Sequence, residues 1–359
     1  MIPSASPSVG EEEKRRVEAV IDSGMLAEGD VVEAFQAEFA DYCGVDRGVA
    51  TTNGTTALHA ALVGLDIGEG DRVLTTPFSF IATANAVRLA GAEVDFVDVD
   101  PRTYNIDPDA LEARLRDGER VDAVVAVHLY GLPADVGRLG ELADEYDFKL
   151  LEDAAQAHGA RYDGERVGSF GDAACFSFYP TKNMTTGEGG MILTDDEAVA
   201  ERARRFVDHG RTTGYEHESV GHNFRMTNLA AAIGRAQLDR LPEFTRARRR
   251  NAAGLTERLA DVPDVATPRE PDGYEHVYHQ YTVRVPDRDA LKEHLASRDI
   301  GSGVYYPIPI HRQPAYDDVS GSYPVAEACA DEVLSLPVHP DLDEADLDRI
   351  AEATAGAIA

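Results

Sequence analysis

Short apolar runs and amphipathic segments alternate along this chain from about residue 48, and few folds are compatible with such a pattern. Strands are predicted at 71–77, 93–99, 121–128 and 148–152, with helices at 81–90 and 135–146 between them. The run 121–128 is almost entirely apolar, as expected of a strand that is covered on both faces. This alternation predicts an α/β fold with a mostly parallel sheet and helices on both of its faces.

The pattern changes towards both ends of the chain, which suggests separate structural units. Further elements are predicted as strands at 173–178, 191–194 and 278–285, and as helices at 11–23, 197–207, 288–297 and from Thr227 through Leu238. At 359 residues the chain is long enough for two domains. We expect an N-terminal arm with one helix (1–30), a large α/β domain (31–240) and a smaller C-terminal α+β domain (241–359).

The charge balance of the chain excludes several kinds of partner. Thirty-four basic side chains stand against 65 acidic ones, which gives a net charge of −31. Such a charge opposes binding to nucleic acid or to an anionic membrane. The acidic residues are spread along the chain and lysine is scarce, which favours adaptation to high salt over an ordinary acidic protein, because screening removes self-repulsion.

Cysteine usage and the N-terminal sequence indicate the compartment. Cys43, Cys175 and Cys329 are odd in number and far apart, and no Cys/His spacing is typical of zinc. We expect buried thiols in a reducing environment and no metal site. Residues 1–16 contain no apolar core of a signal peptide, and no apolar run of about 18 residues occurs. These features predict a cytoplasmic protein.

One lysine lies in a setting that suggests chemistry. Lys182 follows the strand predicted at 173–178 and precedes the glycine-rich segment 187–190, in a chain with only four lysines. Arginine supplies nearly all the remaining positive charge, but it cannot replace lysine where a primary amine must lose its proton and attack a carbonyl. Lys182 therefore points to Schiff-base chemistry.

Asp153 lies at the end of a predicted buried strand, where ligands of open α/β sheets bind. Taken alone, it could equally cap a following helix. Lys182 favours a functional role, because pyridoxal phosphate (PLP) requires a lysine that binds the cofactor and an acidic partner for its pyridine nitrogen. Both residues are predicted at the same end of a parallel sheet.

Two further segments would complete a PLP site. Residues 52–56, Thr-Asn-Gly-Thr-Thr, precede an apolar helix at 57–64, and a helix N-terminus binds phosphate well, although Gly-Thr-Thr also simply starts helices. Phe80 follows a predicted strand and could stack on the cofactor ring, although an isolated phenylalanine more often lies in the core.

Taken together, these motifs resemble the DegT/DnrJ/EryC1/StrS family of sugar aminotransferases, which are PLP enzymes of fold type I. The resemblance covers nearly the whole chain, and it lies in the segments 23–31, 53–57, 77–85, 128–131, 152–159, 177–190, 221–225, 306–311, 314–316 and 334–340. Leu132 and Asn228 depart from the family's usual residues, and neither touches the proposed chemistry.

The resemblance implies roles for matching residues. As catalytic residues, Lys182 would carry PLP and Asp153 would pair with its ring nitrogen. Other implied cofactor contacts come from Gly54, Thr55, Phe80, Gln156, Ser177 and, from a second subunit, Asn223, with Arg225 beside it. Implied substrate contacts are His158, Tyr179, His311 and Tyr316, for which ordinary packing is the open alternative.

The family likeness also implies a reaction and an assembly. An amino group would pass from a donor, glutamate in this family, to a nucleotide-linked keto-sugar for amino-sugar or polysaccharide biosynthesis, in a homodimer with shared active sites. One subgroup has histidine in place of the PLP lysine and dehydrates its substrate, so Lys182 favours transamination. A sugar dehydratase, a non-catalytic PLP-binding regulator and a cofactor-free binding protein remain alternatives. The sequence does not select the sugar nucleotide, nor C3 or C4 as the position aminated.

Overall fold

The computed structural model describes residues 1–358. The helices are α1 (Glu11–Ser23), α2 (Asp30–Cys43), α3 (Gly54–Gly64), α4 (Ala82–Ala90), α5 (Pro108–Arg116), α6 (Val136–Tyr146), α7 (Glu197–Val207), α8 (Asn228–Leu259), α9 (Arg288–Ser297), α10 (Pro324–Glu332) and α11 (Glu344–Ile358). The strands are β1 (Arg47–Thr51), β2 (Arg72–Thr75), β3 (Glu93–Phe96), β4 (Ala123–Val127), β5 (Lys149–Asp153), β6 (Arg161–Tyr162), β7 (Glu165–Arg166), β8 (Ala173–Ser177), β9 (Gly190–Thr194), β10 (Tyr274–Glu275), β11 (Tyr281–Arg284) and β12 (Val333–Leu336).

The central sheet has seven strands in the order β1-β9-β8-β5-β4-β2-β3. Strand β9 runs antiparallel to both of its neighbours, whereas the other six strands share one direction. The predicted α/β fold with a mostly parallel sheet is therefore confirmed. Because parallel strands end at the same edge, the last residues of β2, β4, β5 and β8 lie together there.

Helices cover both faces of this sheet because successive strand residues point to opposite sides. Val125 and Leu151 pack into one buried cluster with residues of α3, α4 and α7. Their neighbours Val124 and Leu150 pack into another cluster with residues of α5 and α6. The strands are consequently apolar on both sides, which explains the continuous apolar runs in the sequence.

A further cluster of buried residues forms in the C-terminal part of the chain, around the antiparallel pair β11–β12. Helix α8 links this cluster to the rest of the molecule. It is a single helix of 32 residues, with Leu241 in the core next to the sheet and Leu255 in the C-terminal core. The domain boundary predicted at residue 240 falls inside this helix, close to Pro242, so the two proposed domains share it.

The N-terminal arm is fixed against α8 and the C-terminal core. Helix α1 has the predicted limits, and it ends at Gly24 in the left-handed conformation with φ of 72°. The buried carboxylate of Glu13 accepts hydrogen bonds from Gln237 (2.6 Å) and Arg240 (3.0 Å). Ile2 is buried within the C-terminal core. The arm therefore contacts both parts of the molecule that α8 connects.

Several predicted strands are shorter than expected, and for the one predicted at 278–285 this has consequences for the site. The segment 278–285 forms a strand only over 281–284. The residues before it cross to the edge of the central sheet, where the Gln280 amide donates to the Tyr130 carbonyl at 3.1 Å. The alternation of apolar residues could not reveal this crossing, because the hydrogen bond that fixes it joins Gln280 to Tyr130, 150 positions away in the sequence.

Two observations bear on the expected compartment. Cys43, Cys175 and Cys329 are buried and free, as predicted. Within residues 1–358, no helix has the length and apolar character needed to cross a bilayer.

Candidate active site

A cavity of about 610 Å³ opens at the edge of the sheet where β4, β5 and β8 end. Among the predicted site residues, the structure brings together in its wall Gly54, Thr55, Phe80, Asp153, Gln156, Ser177, Tyr179 and Lys182. These residues come from helix α3, two strand ends and three connecting segments. The carboxyl ends of parallel strands are where open α/β folds bind their ligands, and this cavity follows that rule.

Lys182 lies in the turn that follows β8, where its amide donates to the Tyr179 carbonyl at 2.9 Å. Its side chain is partly buried and lines the cavity. This burial lowers the pKa of Lys182 to about 8, although the Asp153 carboxylate opposes the shift. At pH 7 about a tenth of the amine is then unprotonated, against well under a thousandth for an ordinary lysine.

Asp153 is the last residue of β5 and is buried. Its Oδ2 accepts a hydrogen bond from the Thr83 hydroxyl at 2.7 Å, and its Oδ1 accepts a longer one from the Ala155 amide at 3.3 Å. Burial raises the pKa of Asp153, whereas these two hydrogen bonds and Lys182 oppose the rise. The residues after Asp153 form turns rather than a helix, so the helix-cap alternative lacks a helix to cap.

The N-terminus of α3 forms one end of the cavity. Asn53 caps this helix by accepting from the Thr56 amide at 3.0 Å, which leaves the amides of Gly54 and Thr55 available for an anion. A Cβ on Gly54 would lie 2.7 Å from the Cβ of Ser177, so only glycine lets α3 approach β8 this closely. The close approach places the Ser177 side chain beside those free amides, a donor set that fits the phosphate of PLP.

Gln156 and Phe80 also line the cavity. The Gln156 side-chain oxygen accepts from the Tyr130 amide at 2.7 Å, and its nitrogen donates to the Tyr306 hydroxyl at 3.1 Å. The second hydrogen of that nitrogen remains free for a ligand. Phe80 is 54% exposed, so it is a wall residue and not the core residue of the alternative interpretation.

His158, one of the residues expected to contact the substrate, does not reach this cavity. Its ring is fully buried and packs against Phe39, Phe176 and Phe178 at centroid distances of 6.5, 5.4 and 5.6 Å. Burial, with a smaller effect of the Lys182 charge, lowers the pKa of His158 to about 3. The packing alternative therefore describes His158, because three apolar rings hold its side chain on the core side of the strand end.

His311 and Tyr316 also lie away from the cavity wall. The His311 ring is 2.9 Å from a Glu327 carboxylate oxygen, and the Tyr316 hydroxyl donates to Asn85 of α4 at 2.6 Å. Both therefore hold the segment 310–316 against its neighbours. Of the four expected substrate contacts, only Tyr179 lines the cavity, and it is 47% exposed.

The expected contributions of a second subunit remain outside the cavity of this chain. Asn223 forms an isolated bridge with Asp208, and Arg225 forms ion pairs with Asp208 and, at 3.5 Å, with Glu28. Neither side chain is part of the cavity wall within residues 1–358. Their proposed role in a neighbouring copy stays a prediction.

Several wall residues were not predicted as site residues. They include Ser79, Thr83, Glu188, His279, Gln280, Tyr305 and Tyr306. Thr83, Glu188 and Tyr306 lie in segments that carry the family resemblance, so that likeness was an available signal. For His279 no sequence signal existed, since its segment was predicted as a strand.

Glu152, the residue before Asp153, is a buried carboxylate that stabilises the end of β5. Glu152 accepts hydrogen bonds from the amides of Gly168, Phe170 and Gly171 at 2.8, 2.8 and 3.0 Å. His128 lies 2.9 Å from it, and because the other His128 nitrogen accepts from Ala134, the ring is neutral and donates to Glu152.

We expect Glu152→Gln to destabilise the fold by about 3 kcal/mol, because an amide nitrogen would face backbone donors in a buried site. Burial alone would raise the pKa of Glu152, but these hydrogen bonds bring it below its ordinary value of 4.5. The wild-type advantage should therefore be present above about pH 4.5 and be lost as the pH falls through the lowered pKa.

Thermal unfolding of both proteins between pH 3 and 7 measures this effect. Glu197→Gln is a suitable control, because Glu197 is 70% exposed and only pairs with Arg47 at the surface. A melting temperature of Glu152→Gln equal to that of Glu197→Gln at pH 7 would contradict the expectation.

The fold and the site together define a class. The sheet has seven strands and is mostly parallel. At its carboxyl edge, one cavity holds a lysine, an aspartate and a helix N-terminus that can bind a phosphate group. This is the architecture of fold type I PLP-dependent transferases. Comparison with known sequences identifies the family within this class. The chain belongs to the DegT/DnrJ/EryC1/StrS aminotransferase family, whose model matches residues 7–355.

Individual relatives agree with this assignment. The chain is 42% identical over 334 residues to the UDP-N-acetyl-3-dehydro-α-D-glucosamine 3-aminotransferase of Acidithiobacillus ferrooxidans, with 92% of this chain and 90% of that protein covered. A pleiotropic regulatory protein of Geobacillus stearothermophilus is 42% identical over 344 residues, with 94% and 92% covered. The crystal structure of S. venezuelae DesV in complex with a ketimine intermediate has a TM-score of 0.93 and 39% identity, with 96% of this chain and 94% of that chain covered.

Proposed function

We propose that this protein is a PLP-dependent aminotransferase that transfers an amino group from glutamate to a keto-sugar carried by a nucleotide. The observation that carries the proposal is the pairing of Lys182 and Asp153 in one cavity, where each charge shifts the pKa of the other. The helix N-terminus at Gly54 and Thr55 adds a phosphate site at the same cavity. Names of relatives support a nucleotide-linked sugar as the substrate class.

The residues of the cavity would divide the work as follows. Bound PLP supplies an electron sink for the carbon that bears the donor's amino group. Lys182, whose pKa burial lowers to about 8, would hold the cofactor and, when its amine is free and unprotonated, would take the proton from the donor's Cα. Asp153 would accept a hydrogen bond from the protonated ring nitrogen and stabilise its charge. Gly54, Thr55 and Ser177 would hold the phosphate.

An amino-transfer assay tests this function directly. Purified protein with PLP and glutamate is incubated with a panel of nucleotide-linked 3-keto and 4-keto sugars, and mass spectrometry follows the sugar while an enzymatic assay follows 2-oxoglutarate. We expect equal amounts of amino-sugar and 2-oxoglutarate with at least one substrate. A dehydrated sugar without 2-oxoglutarate would instead support the dehydratase alternative, and a protein without visible cofactor absorbance would exclude both.

The regulator alternative is favoured by the name of the relative from Geobacillus stearothermophilus. A net charge of −31 opposes contact with DNA, whose backbone attracts basic proteins. Turnover of a keto-sugar in the same assay would make a purely regulatory role unnecessary.

The charge of the cavity supports a homodimer with shared sites. Among the wall residues that the structure describes, Lys182 is the only lysine or arginine. The ligands proposed here carry several phosphate and carboxylate groups, and a second copy would add positive charge to that of Lys182 and the α3 N-terminus. The segment 209–225 contains Arg211 and Arg225, and its Tyr215 and Val220 are 98% and 89% exposed. We propose that this segment of a second copy, including Asn223, completes the site.

Mixing two inactive variants distinguishes shared from independent sites. Lys182→Ala removes the proposed base, whereas Asn223→Asp places a negative charge where the phosphate is expected from the partner. In a mixed dimer, one site has an intact Lys182 and an intact Asn223, so random exchange should restore about a quarter of wild-type activity. Activity that never exceeds the average of the separate variants after unfolding and refolding together would contradict shared sites.

A further inference from the structure

Two hydroxyl groups, neither with a role in the function proposed above, connect Asp153 to the neighbouring helix. Thr83 lies in the first turn of α4, and Ser79 lies in the turn between β2 and that helix. The Thr83 hydroxyl is 2.7 Å from Asp153 Oδ2 and 2.9 Å from the Ser79 hydroxyl. Both side chains are buried, with 1% and 4% of their surfaces exposed, and both border the cavity.

The direction of these hydrogen bonds follows from the charge on Asp153. An ionised carboxylate accepts hydrogen bonds and has none to give, so the Thr83 hydroxyl donates its proton to Oδ2. Thr83 has only one hydroxyl hydrogen, and its oxygen must therefore accept the hydrogen of Ser79. The result is an ordered relay from Ser79 to Thr83 to Asp153, in which each bond polarises the next.

This relay fixes the carboxylate in a way that β5 alone cannot. Asp153 ends its strand, and its other oxygen, Oδ1, has only the 3.3 Å contact with the Ala155 amide. In the sheet order, β2 and β5 lie on either side of β4, so the relay anchors Asp153 to an element two strands away. Oδ2 is thereby held by a short hydrogen bond. Of the two carboxylate oxygens, Oδ1 has the greater remaining capacity to accept a hydrogen bond.

We propose that Thr83 is a positioning residue for the aminotransferase reaction, and that Ser79 orients its hydroxyl so that Asp153 stays ionised and correctly turned towards the cofactor's ring nitrogen. The inference rests on the proposed function. Of the influences that favour the charged form of Asp153, the Thr83 hydrogen bond is the largest, ahead of Ala155 and of the Lys182 charge. The titratable groups that interact with Asp153 are Lys182, His128, Tyr306 and Cys175.

The test compares variants by a spectroscopic signal of the ring nitrogen itself. Each protein is loaded with PLP labelled with ¹⁵N in the ring, and the nitrogen chemical shift is followed between pH 6 and 9. In wild-type protein the nitrogen should remain protonated throughout. In Thr83→Val, which keeps the shape of the side chain but lacks the hydroxyl, we expect deprotonation to begin within this range. Its kcat should fall about 10- to 100-fold with KM little changed, as for a lost hydrogen bond to a charged group.

Three companion variants separate positioning from packing. Thr83→Ser keeps the hydroxyl and should restore both the ¹⁵N signal and most of kcat. Ser79→Ala should shift both quantities in the same direction as Thr83→Val by a smaller amount, and it carries the test if Thr83→Val does not fold. Thr75→Val is the matched control, because the Thr75 hydroxyl is equally buried but donates to the Val125 carbonyl at 2.9 Å, outside the cavity wall.

The outcomes are distinguishable from a failure of the proposed function. A wild-type protein that binds no PLP, or that holds it with an unprotonated ring nitrogen, would refute the function on which the inference depends. A protonated nitrogen in wild-type protein, with Thr83→Val and Ser79→Ala indistinguishable from it, would refute the relay alone. A Thr83→Ser protein as impaired as Thr83→Val would show that the methyl group matters and would also overturn the relay.

Discussion

Replacing Lys182 with alanine is expected to lower the turnover of amino transfer by a factor on the order of 10⁴ or more, because one amine both carries the cofactor and moves the proton. The visible absorbance of the lysine-bound cofactor should disappear at the same time. Steady-state assays with glutamate and a keto-sugar measure the first effect, and absorbance spectra of the purified protein measure the second.

Two further variants show whether the amine itself is responsible. Lys182→Arg keeps a positive charge but cannot lose it near neutral pH, so it should be as inactive as the alanine variant. Lys149→Ala removes a surface lysine that pairs with Asp172 at 2.9 Å and should retain wild-type activity. A Lys182→Arg protein with more than about a tenth of wild-type turnover would be incompatible with the proposed role, since guanidinium is never a general base at these pH values.

Replacing Asp153 with asparagine is expected to lower kcat by about 10²- to 10³-fold, as for the loss of one preorganised electrostatic contact to the reacting group. The side chain keeps its size, and the Thr83 hydroxyl can still donate to the asparagine oxygen, so the site geometry should persist. The ring nitrogen, however, loses the negative charge that stabilises its proton. We expect PLP to remain bound through Lys182 and the α3 phosphate site.

Stopped-flow measurement of the glutamate half-reaction isolates this effect, since proton removal from Cα is the step that depends on the ring nitrogen. Asp122→Asn is the matched control: Asp122 precedes β4 at the opposite edge of the sheet, where it accepts from the Arg72 amide at 2.8 Å. Wild-type rates in Asp153→Asn would show that this carboxylate only stabilises the turn that follows β5, by accepting a hydrogen bond from the Ala155 amide.

Strand and helix positions were largely predictable because the sheet is covered on both sides. The limits of α1, α7 and α9 match the predicted ranges, and the strand ends carrying Asp153 and Ser177 lie within one residue of them. Since the carboxyl ends of parallel strands lie at one edge of the sheet, the placement of Asp153 and Lys182 around one cavity followed from topology. The helix start at 52–56 and Phe80 were candidates from their positions in the sequence. The resemblance added Gln156, Ser177 and Tyr179, which line the same cavity.

Sequence reasoning did not give the direction of side chains in irregular segments. His158 lies only two residues beyond Gln156, yet it packs against three phenylalanine rings in the core while Gln156 lines the cavity. His279 reaches the cavity because its segment leaves the predicted strand to bond with residues 130 and 131. Salt adaptation, cytoplasmic location and the domain boundaries stay predictions, since fold geometry does not test them.

The continuity of α8 has a consequence for how the molecule loses its structure. One end of this helix is packed into the core beside the sheet, and the other end is packed into the C-terminal core. The N-terminal arm contacts the helix between these ends through the hydrogen bond from Gln237 to Glu13. If either core unfolded, the helix would lose the packing contacts at that end, and the turns packed in the other core would be less stable. The molecule is thus expected to denature as one cooperative unit.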